Sequence, residues 1–315
     1  MVSIAANGLL PGIAFGEPLD HKSLRVVPLI GPSCKEPSYR LFGPDLAEDV
    51  EVNEVDAEGS VPNLRVTNRL PDRILLLDGQ ELIGAKQNRI LNADVLVPAA
   101  KEIVIPVTCV ESGRWAYSRR GFIAGKMAYR SARAAKCSQI LASLRSMKEY
   151  RSDQGQIWAG VENLISETDS ASPSRAMADV YRQKEQDLAE VREAFALPEN
   201  SIGVAVYCGD RLLGLDLFDR AATLEHHWQS LLDSYVLDWL AFDSRDAGDS
   251  EPAEPATPIA ELIESLRQAD WERFDAPGEG SDLRWETDRL TASALVWGEG
   301  DAQAIVHLQA FPRLK

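Results

Sequence analysis

Three basic residues with helical spacing are the first candidates for chemistry, because cations on one side of a helix can bind an anionic group. Lys126, Arg130 and Arg133 continue, towards the amino terminus, a stripe that further along is apolar. An isolated cation is costly to bury, so these side chains must be paired or must line a cavity. Near a helix start preceded by Gly121 and Gly125, they are suited to phosphate or carboxylate groups.

The same three cations also have structural explanations. The chain contains 49 Asp and Glu residues, enough to neutralise them in an ion-pair network, and such networks resemble functional sites. A helix break near Ala134 would instead place the cations in solvent. An anion pocket, an ion-pair network and a solvated cluster therefore stay open as alternatives.

A second unusual run extends from Asp78 to Arg89 and combines carboxylates, amides and cations with two glycines. Polar groups of this variety orient ligands in small, specific sites. Asp78 and Glu81 are the candidates for a general base. The candidate ligand-binding residues of the run are Lys86, Gln87, Asn88 and Arg89. A polar connection between strands explains the composition equally well, since turns are polar for conformational reasons.

Arg114 and Arg119 lie on either side of two aromatic residues, Trp115 and Tyr117. Aromatic rings beside arginines can stack on a nucleic-acid base, so both arginines are further candidates for ligand binding. Aromatic side chains at the end of a β-sandwich also pack in the core, and this alternative stays open.

No metal site is predicted. The chain has four His and four Cys residues without a Cys-x-x-Cys or His-x-x-x-His pair, so the usual zinc ligands are missing. Asp210, Asp216 and Asp219 could bind a cation, although outward-facing acids on a strand show the same pattern, and carboxylate-bound magnesium stays open. The motifs of P-loop nucleotide hydrolases, dinucleotide-binding folds and α/β-hydrolases are not found, which disfavours these classes.

Charge is distributed unevenly along this acidic chain. The net charge of −16 argues against nonspecific coating of duplex nucleic acid, because the phosphates would be repelled. Residues 112–148, however, contain no Asp or Glu. The basic residues of this segment are Arg114, Arg119, Arg120, Lys126, Arg130, Arg133, Lys136, Arg145 and Lys148.

Composition indicates a folded protein of the cytoplasm. The hydrophobic share of 45% and the charged share of 26% are ordinary for a globular chain. Neither a stretch of about 18 apolar residues nor a leader-like amino terminus is found, so we expect no membrane attachment and no export. The four cysteines lie in apolar or helical surroundings and are expected to be reduced thiols.

Short segments rich in Val, Ile and Leu, separated by Gly, Pro and Asn, predict strands up to about residue 112. They are Leu24–Ile30, Val50–Val55, Leu64–Asn68, Arg73–Leu77, Asp94–Val97 and Glu102–Val110. Asp78-Gly79 predicts a tight hairpin turn between residues 74–77 and 81–83. A β-sandwich or small barrel is therefore expected at the amino terminus.

Beyond residue 122 the apolar period becomes helical. Helices are predicted over 125–150, 156–165, 174–195, 224–242 and 259–269, with a β-hairpin at 202–218 and strands at 283–286, 292–297 and 304–308. The acidic, Pro-rich residues 244–257 predict a mobile loop. The class is α+β: an amino-terminal sandwich or barrel, then a helical segment with a β-hairpin and carboxy-terminal strands. Residues 1–120 are predicted as a mainly β domain and 121–315 as an α+β domain.

The stretches LLLDGQELIGAKQNRILNADVLVPA and IPVTCVESGRW, and later GLDLFD, resemble a bacterial domain family named for its association with ADP-ribosylglycohydrolases and the rhodanese-phosphatase superfamily. The resemblance covers most of the chain and is most specific from Leu75 to Trp115. It implies a nucleotide-like or ADP-ribose-like ligand and a role in nucleotide signalling or in conflict with phage. It implies no catalytic residue.

Three functions follow as hypotheses. The first is a binding or regulatory protein for a small phosphorylated ligand, in which Lys126, Arg130 and Arg133 neutralise phosphate. The second is a hydrolase or lyase acting on such a ligand, with Glu81 or Asp78 as general base. The third is a scaffold whose basic patch docks an acidic protein. Assembly with itself or with a partner protein stays open.

Overall fold

The protein combines three β-sheets with helices, in agreement with the predicted α+β class. Its structure, a computed structural model, describes residues 3–5, 10, 12–56, 62–243, 253–299 and 303–314. In chain order the strands of these residues are β1 (Ser3–Ala5), β2 (Ala14–Phe15), β3 (Leu19–His21), β4 (Leu24–Ile30), β5 (Tyr39–Leu41), β6 (Val50–Glu54), β7 (Asn63–Asn68), β8 (Arg73–Leu76), β9 (Gln80–Gly84), β10 (Arg89–Leu91), β11 (Val95–Val97), β12 (Glu102–Cys109), β13 (Phe122–Met127), β14 (Ser201–Cys208), β15 (Arg211–Phe218), β16 (Asp270–Asp275), β17 (Ser281–Glu286), β18 (Leu290–Trp297) and β19 (Ala304–Pro312).

Six α-helices of 7 to 18 residues lie between β13 and β16 in the described part of the chain. They are α1 (Arg130–Met147), α2 (Gln154–Glu167), α3 (Met177–Gln183), α4 (Glu185–Arg192), α5 (Ala221–Asp238) and α6 (Ile259–Gln268), with a 3-10 turn at Pro44–Leu46 and a π-helical turn at Trp239–Asp243. The helix predicted over 174–195 is thus two helices, and the one predicted over 224–242 begins earlier and ends in the π-helical turn.

Of the two architectures predicted for the amino-terminal half, a β-sandwich or a small barrel, the small barrel is present. Strands β10, β12, β7, β6, β13 and β9 close it in this order, and every neighbouring pair is antiparallel. Buried apolar side chains alternate along the strands, as Leu64 and Val66 do in β7. Residues that face the barrel interior, among them Val52, Leu82 and Ile105, belong to one apolar cluster.

The predicted helix over 125–150 was wrong at its start, because residues 122–127 form β13 and the helix begins at Arg130. Phe122 pairs with Gly84 of β9 and with Val52 of β6, so β13 closes the barrel. Pairing with two neighbouring strands here outweighs the local preference for helix. The end of α1 lies near the predicted boundary, at Lys148, whose left-handed backbone stops the helix.

The turn at Asp78-Gly79 is present, but the hairpin predicted around it was wrong. Gln80 N donates to Leu77 O at 3.0 Å, and Gly79 has a positive φ of 85°. The two flanking strands nevertheless enter different sheets: β9 joins the barrel, whereas β8 lies between β11 and β5 in a three-stranded sheet. An apolar strand pattern indicates that a segment is extended but does not indicate which strand it pairs with.

A ten-stranded antiparallel sheet forms the rest of the β-structure, in the order β1-β16-β17-β18-β19-β15-β14-β4-β2, with β3 also paired to β4. It contains the predicted hairpin, β14–β15, and the predicted carboxy-terminal strands. One face packs on side chains of α1 and α5, and the other packs on α6. Strand β4 pairs with β14, so an amino-terminal strand belongs to this sheet. The division at residue 120 stays a prediction.

Most of the acidic segment predicted as a mobile loop, residues 244–252, lies outside the described residues. Its described end contacts the β14–β15 hairpin: Ala256 N donates to Asp210 O at 2.8 Å, and the Tyr207 hydroxyl donates to Thr257 O at 3.2 Å. All four cysteines are free thiols. Within the described part of the chain, the helices are too short or too polar to cross a membrane.

Candidate functional site

The basic cluster predicted near the start of α1 is paired with the protein's own carboxylates. Lys126, which lies on β13, has its Nζ 2.7 Å from Asp233 Oδ2 and 3.8 Å from Glu185 Oε2. Arg130 Nε is 2.8 Å from Asp238 Oδ2, and both side chains are buried. Of the alternatives that the sequence left open, this geometry favours the ion-pair network.

Arg133 and Lys136, about one and two turns further along α1, are fully buried and also paired. Arg133 Nη2 pairs with Asp216 Oδ1 of β15 and donates to Gln309 Oε1 at 3.0 Å. Lys136 Nζ pairs with Asp78 Oδ1, and Gln309 Nε2 donates to the other Asp78 oxygen at 2.8 Å. Asp78, one of the two candidate bases, thus lies in this buried network rather than beside an open cavity.

The residues of the Lys86–Arg89 run lie at one end of the barrel. Strands β6, β9 and β12 end there, and the antiparallel strands β7, β10 and β13 begin there. Arg89 opposes Leu82 and Cys109 on the neighbouring strands. Directly opposed residues of antiparallel strands point to the same side, and Leu82 belongs to the interior cluster. The Arg89 side chain therefore points into the barrel.

Glu54 joins Arg89 inside this end of the barrel, because it opposes Leu64, another interior residue. Burial raises the pKa of the Glu54 carboxyl, while the nearby Arg89 acts in the opposite direction. Sequence reasoning did not single out Glu54. Alternation along β6 could have indicated it, since Glu54 follows the interior residue Val52 by two positions. We call the set Glu54, Lys86, Gln87, Arg89, Trp115 and Tyr117 the barrel mouth.

One edge of the Arg89 guanidinium has no partner. Its Nη1 donates to the backbone oxygen of Gln87 at 3.1 Å and to Gln87 Oε1 at 3.3 Å. Its Nε and Nη2 are buried, and neither donates a hydrogen bond to any residue that the structure describes. The residue has 0% exposure. Nε and Nη2 form the edge of arginine that binds two oxygens of one carboxylate or phosphate.

Aromatic and basic side chains lie around Arg89 at the surface of the mouth. The Arg89 Cζ is 5.8 Å from the centroid of the Trp115 ring. Lys86 Nζ is 5.4 Å from the Trp115 centroid and 5.6 Å from that of Tyr117. These distances are typical of cation–π contacts. The sequence suggested Arg114 and Arg119 beside these rings, whereas the cation–π contacts are made by Lys86 and Arg89.

Arg114 fixes the backbone that carries the aromatic residues. It forms a bidentate ion pair with Glu111, with Nε to Oε1 at 2.8 Å and Nη2 to Oε2 at 2.6 Å. Its Nη1 donates to Ala85 O at 2.6 Å and to Ala116 O at 2.7 Å. Asn88 belongs to the same network, since its backbone N donates to Glu111 at 3.0 Å. Arg114 and Asn88 thus hold the mouth in shape.

Glu81 lies on the outer side of the barrel wall. It adjoins Leu82 in β9, and successive side chains of a strand point to opposite faces. Burial raises the pKa of Glu81 to about 8, which the Asn88 amide opposes and the Glu111 carboxylate reinforces. Its Oε1 accepts from Asn88 Nδ2 at 3.2 Å. At neutral pH Glu81 is therefore a neutral acid, separated from Arg89 by the barrel wall.

Arg119 lies beside Gly84 at the end of β9 and lines a groove of about 460 Å³, together with Phe42 and Phe122. The structure therefore brings together Lys86, Gln87 and Arg89 of the predicted ligand-binding residues. It places Arg114 and Asn88 behind them, Arg119 in the groove beside Gly84, and the α1 cations in the ion-pair network. No cluster of three or more metal-ligating side chains exists among the described residues.

Comparison with known proteins places the chain in a family. Neither a curated protein nor a solved structure matches it. Residues 12–311 match the ARPP-1 family, described as the ARG and Rhodanese-Phosphatase-superfamily-associated Protein domain, which spans nearly the whole 315-residue chain. The match includes the barrel, its mouth and the ten-stranded sheet as far as β19. The chain belongs to the ARPP-1 family.

Proposed function

We propose that this protein is a binding or regulatory protein that recognises a small phosphorylated ligand at the barrel mouth. The observation that carries the proposal is the free, buried edge of Arg89. Buried guanidinium donors without acceptors are costly, even with the Glu54 carboxyl nearby. A ligand that places two oxygens on Nε and Nη2 would remove this cost and gain two charge-assisted hydrogen bonds.

The barrel mouth holds two cations and one carboxyl, Glu54, which lies near Arg89. Lys86 adds a second positive charge at the surface of the mouth. The opening of a barrel is a common place for small-molecule sites. Because Arg114 and Asn88 already fix the loop, binding would require little ordering of the chain, which limits its entropic cost.

Binding is better supported than hydrolysis. Of the two candidate bases, Asp78 is paired with Lys136 in the buried network, and Glu81 is neutral at pH 7 and faces away from Arg89. A general base must reach the proton that it removes. The scaffold hypothesis needs a basic patch that can dock an acidic protein. It is less well supported than ligand binding, because the cations of α1 are paired with carboxylates of the same chain.

The family name makes nucleotides and ADP-ribose-like compounds the first ligands to test, with nucleotide signalling or phage defence as the biological setting. The four free thiols suit the reducing cytoplasm, where we place the protein.

The test compares the wild-type protein with Arg89→Met and the control Arg151→Met, an exposed arginine paired with Glu149. Thermal unfolding is followed with inorganic phosphate, pyrophosphate, ribose 5-phosphate, nucleotides and ADP-ribose. A ligand present at 100 times its Kd should stabilise the wild type and Arg151→Met by about 2.7 kcal/mol. Arg89→Met should lose this stabilisation.

The unliganded proteins provide a second readout. Arg89→Met should be close in stability to the wild type, because two of the guanidinium nitrogens that it removes are buried without an acceptor, while the nearby Glu54 loses the opposing charge. A strong loss of stability would mean that Arg89 has a structural role. A wild-type protein that none of these anions stabilises would contradict the proposal.

A further inference from the structure

Two large aromatic side chains are exposed at the barrel mouth. Trp115 is 49% exposed and Tyr117 is 58% exposed, although rings of this size are usually mostly buried. One exposed aromatic residue needs no explanation. These two, however, stand two residues apart, both within 6 Å of the Lys86 ammonium, and Trp115 lies beside Arg89, whose buried Nε and Nη2 have no hydrogen-bond acceptor among the described residues.

The backbone that carries the rings is held in place. Arg114 bonds to Ala116 O, between the two aromatic residues, and to Ala85 O, next to Lys86. The bidentate pair with Glu111 fixes Arg114 in turn. Exposed rings on a fixed backbone form a stacking platform that exists before a ligand arrives, and such platforms bind planar rings in proteins that recognise bases.

We infer that the ligand of the mouth carries a planar aromatic ring, as a nucleotide or ADP-ribose does, and that this ring stacks on Trp115 and Tyr117 while its phosphate binds Arg89. The inference rests on the proposed function and narrows it from phosphorylated compounds in general to those with a base. The Lys86 ammonium now lies against both rings. The incoming ring takes that place, and Lys86 turns to the phosphate.

Calorimetric titration with matched probes tests the inference. The probes are ADP and ADP-ribose, which carry base and phosphate; pyrophosphate and ribose 5-phosphate, which lack the base; and adenosine, which lacks the phosphate. Trp115→Ala should lower the affinity for ADP and for ADP-ribose roughly tenfold or more, which corresponds to the loss of one stacked base. The affinity for pyrophosphate should not change in Trp115→Ala. Trp115→Phe should retain most of the affinity for ADP and ADP-ribose.

Tyr117→Ala should act in the same direction as Trp115→Ala. Phe15→Ala is the matched control, because Phe15 is 43% exposed on β2 and its removal should change no affinity.

The outcomes separate this inference from the proposed function. If pyrophosphate binds as tightly as ADP, the mouth binds phosphate without contacting the base, and only the inference is wrong. The same conclusion follows if Trp115→Ala lowers the affinity for both equally. If no probe binds, both are wrong. Binding of ADP that depends on Arg89 and Trp115, with pyrophosphate depending on Arg89 alone, supports both.

Discussion

At the scale of single residues, the cations of α1 show what helical spacing in a sequence can predict and what it cannot. The stripe containing Arg130 and Arg133 does turn away from water, and both side chains are buried. Their partners, Asp238 and Asp216, are about a hundred residues away in sequence. A pattern of helical spacing shows which face is buried. It cannot show whether a carboxylate from another element is present there.

Arg133→Met should therefore lower the free energy of unfolding by about 3 kcal/mol, because it leaves the buried Asp216 carboxylate with His307 as its remaining cation. Urea unfolding measures this change. Arg175→Met is the matched control, since the Arg175–Glu162 pair is half exposed and should contribute less than about 1 kcal/mol. Ligand affinity at the mouth should not change. An effect of Arg133→Met as small as that of the control would mean that the network does not stabilise the fold.

Arg89 illustrates the opposite case, a residue whose position follows from strand alternation once its neighbours are known. The sequence identified the Lys86–Arg89 run by its polarity. It did not indicate that Arg89 points into a barrel while Glu81 points outward, because this depends on the register between β9 and β10.

At the scale of elements, the closing of the barrel depends on the contact between β9 and β13. Gly84, the last residue of β9, has a φ of 148° and opposes Phe122. A Cβ at this position would collide with the backbone oxygen of Gly121. Only glycine lets the two chains approach this closely. The polar run from Asp78 to Arg89 therefore contains a residue that the barrel needs for its own geometry.

Gly84→Ala should destabilise the protein by about 3 kcal/mol or more, since both the backbone conformation and the missing space oppose a side chain. Gly209→Ala is the control: Gly209 also has a positive φ, of 57°, but a Cβ there meets no atom within 4 Å. Its cost should be only about 1 kcal/mol. Chemical denaturation compares the two variants, and equal losses would show that the approach of β9 to β13 is unimportant.

At the scale of the whole molecule, a buried polar network connects the barrel half to the ten-stranded sheet. His307 of β19 bonds through Nδ1 to Asp94 at 2.9 Å and through Nε2 to Asp216 at 3.3 Å, and it stacks on Phe218. Burial alone would lower the pKa of His307, but the two carboxylates raise it to about 9. Arg133 and His307 together lower the pKa of Asp216 to about 2 against the effect of burial.

Stability should consequently depend on pH through His307. Its pKa in the folded protein, about 9, lies above the ordinary value of 6.5. The stabilisation is therefore complete below pH 6.5 and is lost as the pH rises through 9. Over this range it amounts to about 3 kcal/mol as an upper value. Urea unfolding at pH 6 and pH 9.5 measures the loss as a difference between the wild type and a His307 variant, because the pKa values of Lys136, about 7, and Glu81, about 8, fall in the same range.

His307→Gln is the variant for comparison, because it removes the charge and keeps a polar side chain. It should be less stable than the wild type at pH 6 and should lose less stability between the two pH values. A wild-type protein whose stability falls no further than that of His307→Gln would show that His307 is not charged in the folded state.

The sequence by itself determined the α+β class, a sandwich or barrel in the first half, the β14–β15 hairpin, the approximate positions of most helices, and the resemblance to the family to which the chain belongs. These features follow from neighbouring residues, because apolar periods and turn residues act locally. Only the tertiary structure decided that residues 122–127 close the barrel, that the α1 cations have partners and that the Arg89 edge lacks one. Each of these depends on which distant segments meet, and strand register and ion pairing across such distances leave no local pattern.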